Sequence, residues 1–225
     1  MLAVSDLLDL RQTDHSDLFK DCGHPWEALP KVGDYLKKYL KPAILGKVSS
    51  RASIEGAVFI GEDTIVEPHV VIKGPVWIGR NCEVRQGAYL RGNVIAGNGC
   101  VLGNSCEFKN SVLLNEVHVP HFAYLGDSIL GYKAHLGSGV TLSNLKVTKG
   151  NVEIVVNGKK IDTGLRKFGA VVGDGAEVGC HCILNPGSIL GRHAVLYPGI
   201  SWRGVCAPNT LVKLRQEHVM ITKSQ

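Results

Sequence analysis

Residues 60–79 read IGEDTIVEPHVVIKGPVWIG. Ile60, Val66, Ile72 and Ile78 stand six apart, and glycine follows the first and the last of them. The spacing extends back to Val48 and Ile54 and forward through Val84, Leu90, Ala96, Leu102 and Phe108. A fixed short period outranks other sequence signals, because missing it mis-assigns the whole fold. Six is neither the helical period nor strand alternation. It fits a solenoid of triangular coils in which each flat side uses one hexapeptide. The aliphatic residue points inward, and a small or turn-forming residue makes the corner. Stacked coils then bury one continuous aliphatic column.

Composition agrees. Aromatic residues are only 6% of the chain, whereas glycine reaches 27 residues. Layers of Val, Ile and Leu fill such a coil, β-branched residues favour its strands, and glycine serves its corners. The fold class expected is all-β: a parallel β-helix of hexapeptide repeats with a short N-terminal helical segment and a β-hairpin insertion. Counting the sides gives roughly seven coils.

The chain divides into three parts. Residues 1–44 do not follow the repeat. Val4, Leu7, Leu8 and Leu10 have helical spacing, and Trp26 to Leu40 forms a second amphipathic pattern opened by Pro25 and closed by Pro42. This segment is expected to cap a solenoid end or join a partner surface. Residues 45–207 carry the coils. Steps of five residues separate Phe108 from Leu113 and Leu125 from Leu130. Residues 146–169 break the pattern, and Asn157-Gly158 between alternating runs signals a hairpin. It is expected to project from one corner. The coils resume at Val172, and a basic tail, 208–225, contains Lys213, Arg215 and Lys223.

The bulk numbers exclude several classes. No apolar run approaches the roughly 20 residues of a membrane span, and Met1 to Leu10 lacks the basic start of a secretory signal. Seven cysteines with no CxxC pair argue against a zinc site and suit a reducing cytoplasm. A net charge of +5 falls short of a nucleic-acid footprint.

Three segments carry more specific information: Gly103 to Lys109 with its Glu-x-Lys, His121-Phe122-Ala123-Tyr124-Leu125-Gly126-Asp127, and Asp162 to Ala170 with its Thr-Gly-x-Arg-Lys. In this order they resemble the acetyltransferase domain of the bifunctional glucosamine-1-phosphate acetyltransferase/uridylyltransferases, nearest the archaeal sugar-phosphate nucleotidylyltransferase/acetyltransferase branch. The resemblance spans about residues 45–205, and both five-residue steps fall where that family has them. It implies a left-handed coil, acetyl-CoA as acyl donor and an amino-sugar acceptor. The family's N-terminal uridylyltransferase domain has no counterpart here, so uridylyl transfer is not expected.

The resemblance also implies roles. His121 is the expected general base, with Glu107 orienting it. Arg91, Lys109, Tyr124 and Lys167 match positions that hold the sugar phosphate, for which Arg and Lys suit an anion. His135 stands where the family has a sugar-binding asparagine. Ser138, Asn144, Cys180 and Tyr197 match the acetyl-CoA wall, with a backbone N–H near Ser138 as oxyanion donor. Family members place each site between neighbouring prisms, which implies a homotrimer whose hairpin arm carries Arg166 and Lys167 to the next subunit. Two other readings stand beside this one. A γ-class carbonic anhydrase would use His118, His121 and His135, and Leu90-Arg91-Gly92-Asn93 is similar to that family's Arg-Gly-Asp, but its aspartate is Asn93 here. A non-catalytic hexapeptide subunit would bind a sugar nucleotide or a partner.

Overall fold

The computed structural model describes residues 2–156 and 158–223. The repeat winds into a left-handed parallel β-helix with three faces, two of nine strands and one of eight. Face one runs from Ala43–Ile44 to Val205–Cys206, face two from Lys47–Val48 to Leu211–Val212, and face three from Ser53–Glu55 to Ser201–Trp202. Nine turns replace the seven expected. The additional sides carry Ile44, Trp202, Cys206 and Val212, which extend the inward column past both ends of the clean six-residue register.

Every inward position named from the spacing packs into one core, from Val48 and Ile54 through Phe108 and Leu130 to Val172, and Leu142 and Leu196 join it. Cys82, Cys100, Cys106, Cys182 and Cys206 are buried free thiols in that column and act as small apolar residues. Burial pushes the Cys100 thiol upward. Gly103 shows why glycine recurs: a Cβ there would lie 1.9 Å from the Pro120 carbonyl oxygen of the next coil.

The five-residue steps have a local cause. Each shortens the corner between faces three and one and puts a left-handed residue there, Asn110 at φ 47° and Asp127 at φ 46°. Asn and Asp tolerate the left-handed region because their short polar side chains bond locally.

Face one differs from the other two. Its strands place a second apolar residue outward, and Ile95, Val112, Ile129, Val171 and Ile189 are fully buried there. The N-terminal segment lies over them. It contains a short helix at Val4–Leu7, three 3₁₀ turns and a helix at Val32–Tyr39. Pro30 supplies no N–H to a helical ladder, and the expected single helix divides at this point into 3₁₀ turns at Pro25–Lys31 and the α-helix. Trp26, Leu29, Val32 and Leu36 are buried against face one with Leu7, Leu8, Leu18 and Phe19. The segment therefore covers a side of the prism, not the end expected of a cap, and Ile44 in the first coil remains half-exposed. Each fully buried aliphatic side chain contributes about 1.5–3 kcal/mol.

Polar contacts fix the cover along one edge. The Asp9 N–H donates to Asp174 at 2.7 Å, the Asn115 N–H to the Gln12 carbonyl at 3.0 Å, and the Asn98 amide to Asp14 at 3.0 Å. His15 ends this run, its ring edge-on to Trp77 at 4.9 Å.

The insertion forms an antiparallel pair, Glu153–Val156 with Lys159–Asp162. Asn157 of the turn signal lies outside the described residues. The arm does not project. Val152 and Ile154 are buried on face one with Ile189 and Val205, and Phe168 packs 5.8 Å from Trp26. The alternating apolar side of the hairpin finds its partner on its own prism. No helix among the described residues is long and apolar enough to cross a membrane.

Candidate active site

Face three supplies a ladder of outward residues, Tyr89, Glu107, Tyr124 and Thr141, in direct register. On its edge toward face one stand Arg91 and Lys109. The Arg91 guanidinium donates to Glu107 at 2.6 Å and lies over the Tyr89 ring. The Lys109 ammonium donates to Asp127 at 3.0 Å, and the Asn110 amide donates to the same carboxylate at 2.8 Å. The Asn144 amide makes a third, short bond to Asp127. Asp127 is buried, so each of its partners is fixed by a bond shielded from water.

Tyr124 joins this network at Gly126. A Cβ on Gly126 would lie 2.5 Å from both the Tyr124 hydroxyl and the Asn144 amide, so only glycine lets them meet. Burial pushes the Tyr124 hydroxyl up, and the charges of Glu107 and Asp127 add to that.

The chain returns from the hairpin to the same edge. Lys167 bridges to Leu145, Phe168 N–H donates to the Asn144 carbonyl at 2.9 Å, and Gly169 N–H donates to the Asp127 carbonyl at 2.9 Å. A cavity of about 350 Å³ opens there between Asn110, Asp127, Leu29 and Pro30 on one side and Arg166 and Lys167 on the other. Arg91, Lys109, Tyr124 and Lys167, proposed from four separated positions, thus share one edge with Asn144.

The opposite edge of face three carries a different set. His121 ends the strand His118–His121, and its side chain is exposed beside Phe122. Glu107 does not bond it; among the described residues that carboxylate is held by Arg91. One coil on, Gly139 N–H donates to the His121 carbonyl and His181 N–H to the Ser138 carbonyl. Gly137 N–H donates to Val178, whereas the half-buried Ser138 N–H has no acceptor among the described residues. Cys180 is exposed on the same edge, and Gly199 N–H donates to its carbonyl at 2.9 Å. Tyr197, exposed one coil further, has the Lys213 ammonium 5.2 Å from its ring centroid.

Two expected members fall elsewhere. Asn144 lies on the Asp127 edge and not with Ser138. His135 sits on face two, its ring edge-on to His118 at 6.4 Å, and burial followed by the His118 charge lowers its pKa. No three His, Cys, Asp or Glu side chains converge on a metal position among the described residues. The residue to which the sequence reading assigned no role is Asp127, named only as the end of its motif and here the centre of the Lys109, Asn110 and Asn144 network. Its signal was the shortened corner, which demands a left-handed residue and received a charged one.

A left-handed prism of hexapeptide coils, with cations along one edge of face three and an exposed imidazole on the other, has the architecture of the hexapeptide acyltransferase class. Comparison with known proteins narrows this. A family model described as the GMPPB C-terminal domain matches residues 72–161. A bifunctional sugar-1-phosphate nucleotidylyltransferase/acetyltransferase of Sulfurisphaera tokodaii is 33% identical over 205 residues, covering 88% of this chain and 51% of that protein. The bifunctional protein GlmU of Methanococcus maripaludis strain C7 is 39% identical over 207 residues, covering 92% and 50%. An uncharacterized acetyltransferase of Escherichia coli K12, YaiX, is 32% identical over 187 residues, covering 79% and 81%. The chain belongs to the hexapeptide acetyltransferase family that includes the acetyltransferase domains of the archaeal bifunctional sugar-1-phosphate nucleotidylyltransferases. It spans about half the length of the bifunctional relatives it matches.

Proposed function

We propose that the chain is an N-acetyltransferase that moves an acetyl group from acetyl-CoA to the amine of an amino-sugar phosphate or a nucleotide-linked amino sugar. The division of polar groups between the two edges of face three carries this reading. The cationic edge, with Arg91, Lys109, Tyr124 and Lys167, suits a phosphorylated sugar. The other edge offers His121 as base and, as oxyanion donor, the Ser138 N–H, which has no acceptor among the described residues.

In this mechanism His121 accepts a proton from the acceptor amine as the nitrogen attacks the thioester carbonyl. The developing oxyanion is stabilised by the Ser138 N–H. Collapse breaks the C–S bond, and the departing thiolate takes up the proton. Glu107 acts through Arg91, to which it is bonded, rather than through its own chain's His121.

One chain holds its base and its phosphate cations on opposite edges, so a site completed by a neighbouring copy is favoured. The cover over face one leaves faces two and three for that contact. A trimer of the 24.2 kDa chain would place edges of different copies together in a closed ring.

The test is thiol release from acetyl-CoA against amino-sugar 1-phosphates and nucleotide-linked amino sugars. Turnover with one of these, and none with the N-acetylated compounds, is the expected result. No thiol release with any amine acceptor would refute the assignment and leave a binding subunit.

A further inference from the structure

The N-terminal cover reaches the acceptor-side edge as well as the outer side of face one. The corner between faces three and one carries Asn93, Asn110 and Asp127 in successive coils, with a left-handed backbone at φ 53°, 47° and 46°. Each sits beside an expected acceptor contact. Arg91 lies just before Asn93, Lys109 adjoins Asn110, and Tyr124 lies just before Asp127. The cover runs along this same corner. Its helix comes down on Asn93 at Gly33, where a Cβ would lie 3.1 Å from the Asn93 side-chain oxygen. Just before the helix, Leu29 and Pro30 line a cavity together with Asn110 and Asp127.

At this cavity the cover meets the returning hairpin. Its volume of about 350 Å³ is at the small end of ligand sites. Leu29 is buried, so the surface that the cover presents is the exposed ring of Pro30. That ring offers only C–H groups, and its fixed φ within the 3₁₀ turn Pro25–Lys31 gives it little freedom to yield. The facing wall is cationic. Among the described residues neither Arg166 nor Lys167 has a carboxylate partner, and the Arg166 guanidinium donates to the Gly150 carbonyl at 3.2 Å. The turn before them is fixed: the Gly164 N–H donates to the Asp162 carboxylate at 2.8 Å, and the Thr163 hydroxyl to the Val152 carbonyl at 2.7 Å.

Lys167 owes its place to the cover as well. Its neighbour Phe168 is fully buried, and its partner there is the buried Trp26 of the cover. Trp26 is itself held, because the His24 ring stacks on it at 4.3 Å and the His24 Nδ1–H donates to the Leu2 carbonyl at 2.9 Å. The Phe168 and Gly169 N–H groups tie the same stretch to Asn144 and Asp127. Only glycine allows this approach, since a Cβ on Gly169 would lie 2.2 Å from the Ser128 hydroxyl. Lys167 therefore stands on a backbone clamped between the cover and the corner.

We infer that the cover is part of the acceptor site. Pro30 is a specificity-determining residue that limits the bulk of the amino-sugar phosphate entering between Asp127 and Lys167. Trp26 is a positioning residue that holds Lys167 through Phe168. The sugar turns a C–H edge to Pro30 and its phosphate to Arg166 and Lys167. A substituent on that edge meets a wall that does not give way, and the site rejects it by a clash. The identity of the acceptor rests on the acetyl-transfer reading, whereas the shape of the cavity does not.

The test is initial-rate kinetics on the full chain with glucosamine 1-phosphate and its mono-O-methyl ethers as acceptors. Pro30→Trp fills the cavity from an exposed position. It should raise the acceptor KM about 10-fold or more and leave the acetyl-CoA KM and Tm unchanged. The wild type should use at least one methyl ether about 10-fold less efficiently than the parent sugar, and Pro30→Ala should recover most of that difference. Trp26→Leu should raise the acceptor KM more than it lowers kcat, with faster hydrogen exchange at the Phe168 and Gly169 amides. Trp26→Phe should restore both. The size limit is overturned if Pro30→Trp handles the acceptor as the wild type does, or if Pro30→Ala leaves the discrimination among ethers unchanged. The positioning role is overturned if Trp26→Leu leaves the Phe168 and Gly169 amides protected, or shifts both KM values equally. Absence of turnover with every amino-sugar phosphate would strike the acetyl-transfer reading instead. Calorimetry with the same sugar phosphates then decides the size limit: weakening of about 10-fold in Pro30→Trp supports it, and equal or absent binding overturns it.

Discussion

Replacing Asp127 with asparagine removes one negative charge and keeps the outline of the side chain. The carboxylate is 8% exposed and its partner Lys109 is 26% exposed, so most of this pair is out of water. Removing one member of a buried pair costs about 3–5 kcal/mol. Lys109 keeps part of its surface in solvent and can swing outward, which places the expected loss nearer about 2 kcal/mol. At roughly 2–4 °C per kcal/mol for a chain of this length, Tm should fall by about 4–8 °C. The new amide also turns donors toward Asn110 and Asn144, so Asn144 loses its fixed contact beside Tyr124. Because these groups belong to the cationic edge, the acceptor KM should rise about 10-fold while the acetyl-CoA KM stays unchanged. Thermal unfolding and initial-rate kinetics on one preparation measure both. An Asp127→Asn protein with wild-type Tm and wild-type KM values would refute the network's role. A rise confined to the acetyl-CoA KM would show that the two walls have been exchanged.

His121→Ala should lower acetyl transfer by about 10²-fold or more with Tm unchanged, since the side chain is exposed; near-normal turnover would remove it from the mechanism. Mixing His121→Ala with Lys167→Ala subunits should restore part of the activity through composite sites, and failure in proven mixed oligomers would place both residues in one chain's site. Burial holds the His15 imidazole down at about 4, against about 6.5 in an unfolded chain. The fold keeps it neutral, so its contribution is intact above pH ~6.5 and is lost as pH falls toward 4, to a limit of about 3 kcal/mol. The neighbouring Asp14 charge acts against this loss, and Asp174, raised by burial, offsets part of it at the acid end. Hydrogen exchange of residues 4–40 between pH 7 and 4.5 should show the cover loosening in the wild type and much less in His15→Leu; parallel curves would exclude His15 as the cause.

The coil was legible because an inward slot recurs with each side of the triangle, and no surface demand interferes with Val, Ile or Leu there. The ends were less legible because Trp202 to Cys206 is a four-residue step, and Trp202 and Val212 are only half-buried. The helical pattern at Trp26 to Leu40 was readable as an apolar stripe, but its destination was not. The clue lay elsewhere, in Trp77, Ile95, Val112 and Ile129, which recur at 17- or 18-residue spacing on one face only. Once per turn the chain places an apolar residue outward, and only a covering segment accounts for it. The hairpin was similarly visible in its alternation, while Val152 and Ile154 gave no sign that their partner was the same prism. Of the candidate site, Arg91, Lys109, Tyr124 and Lys167 lie along one edge of face three with Asn144. The Glu107–His121 contact did not form, because Arg91 stands nearer to the carboxylate than any group the linear order suggests. Asp127 was read as the end of a motif and given no role of its own, because a corner aspartate is usually a turn former.

The contacts of the N-terminal cover change how such a prism comes apart. In a plain stack each coil touches only its neighbours, so disorder can enter at one end and advance turn by turn. Here residues 9–15 run lengthwise and bind Asp174, Asn115, Asn98 and Trp77 in four different turns. Loosening any one of those turns strains the others through the same short peptide. The stack should lose its one-dimensional character and melt in a single cooperative step. Removing the first forty residues should restore fraying from the ends, with a broader transition even where the coils themselves survive.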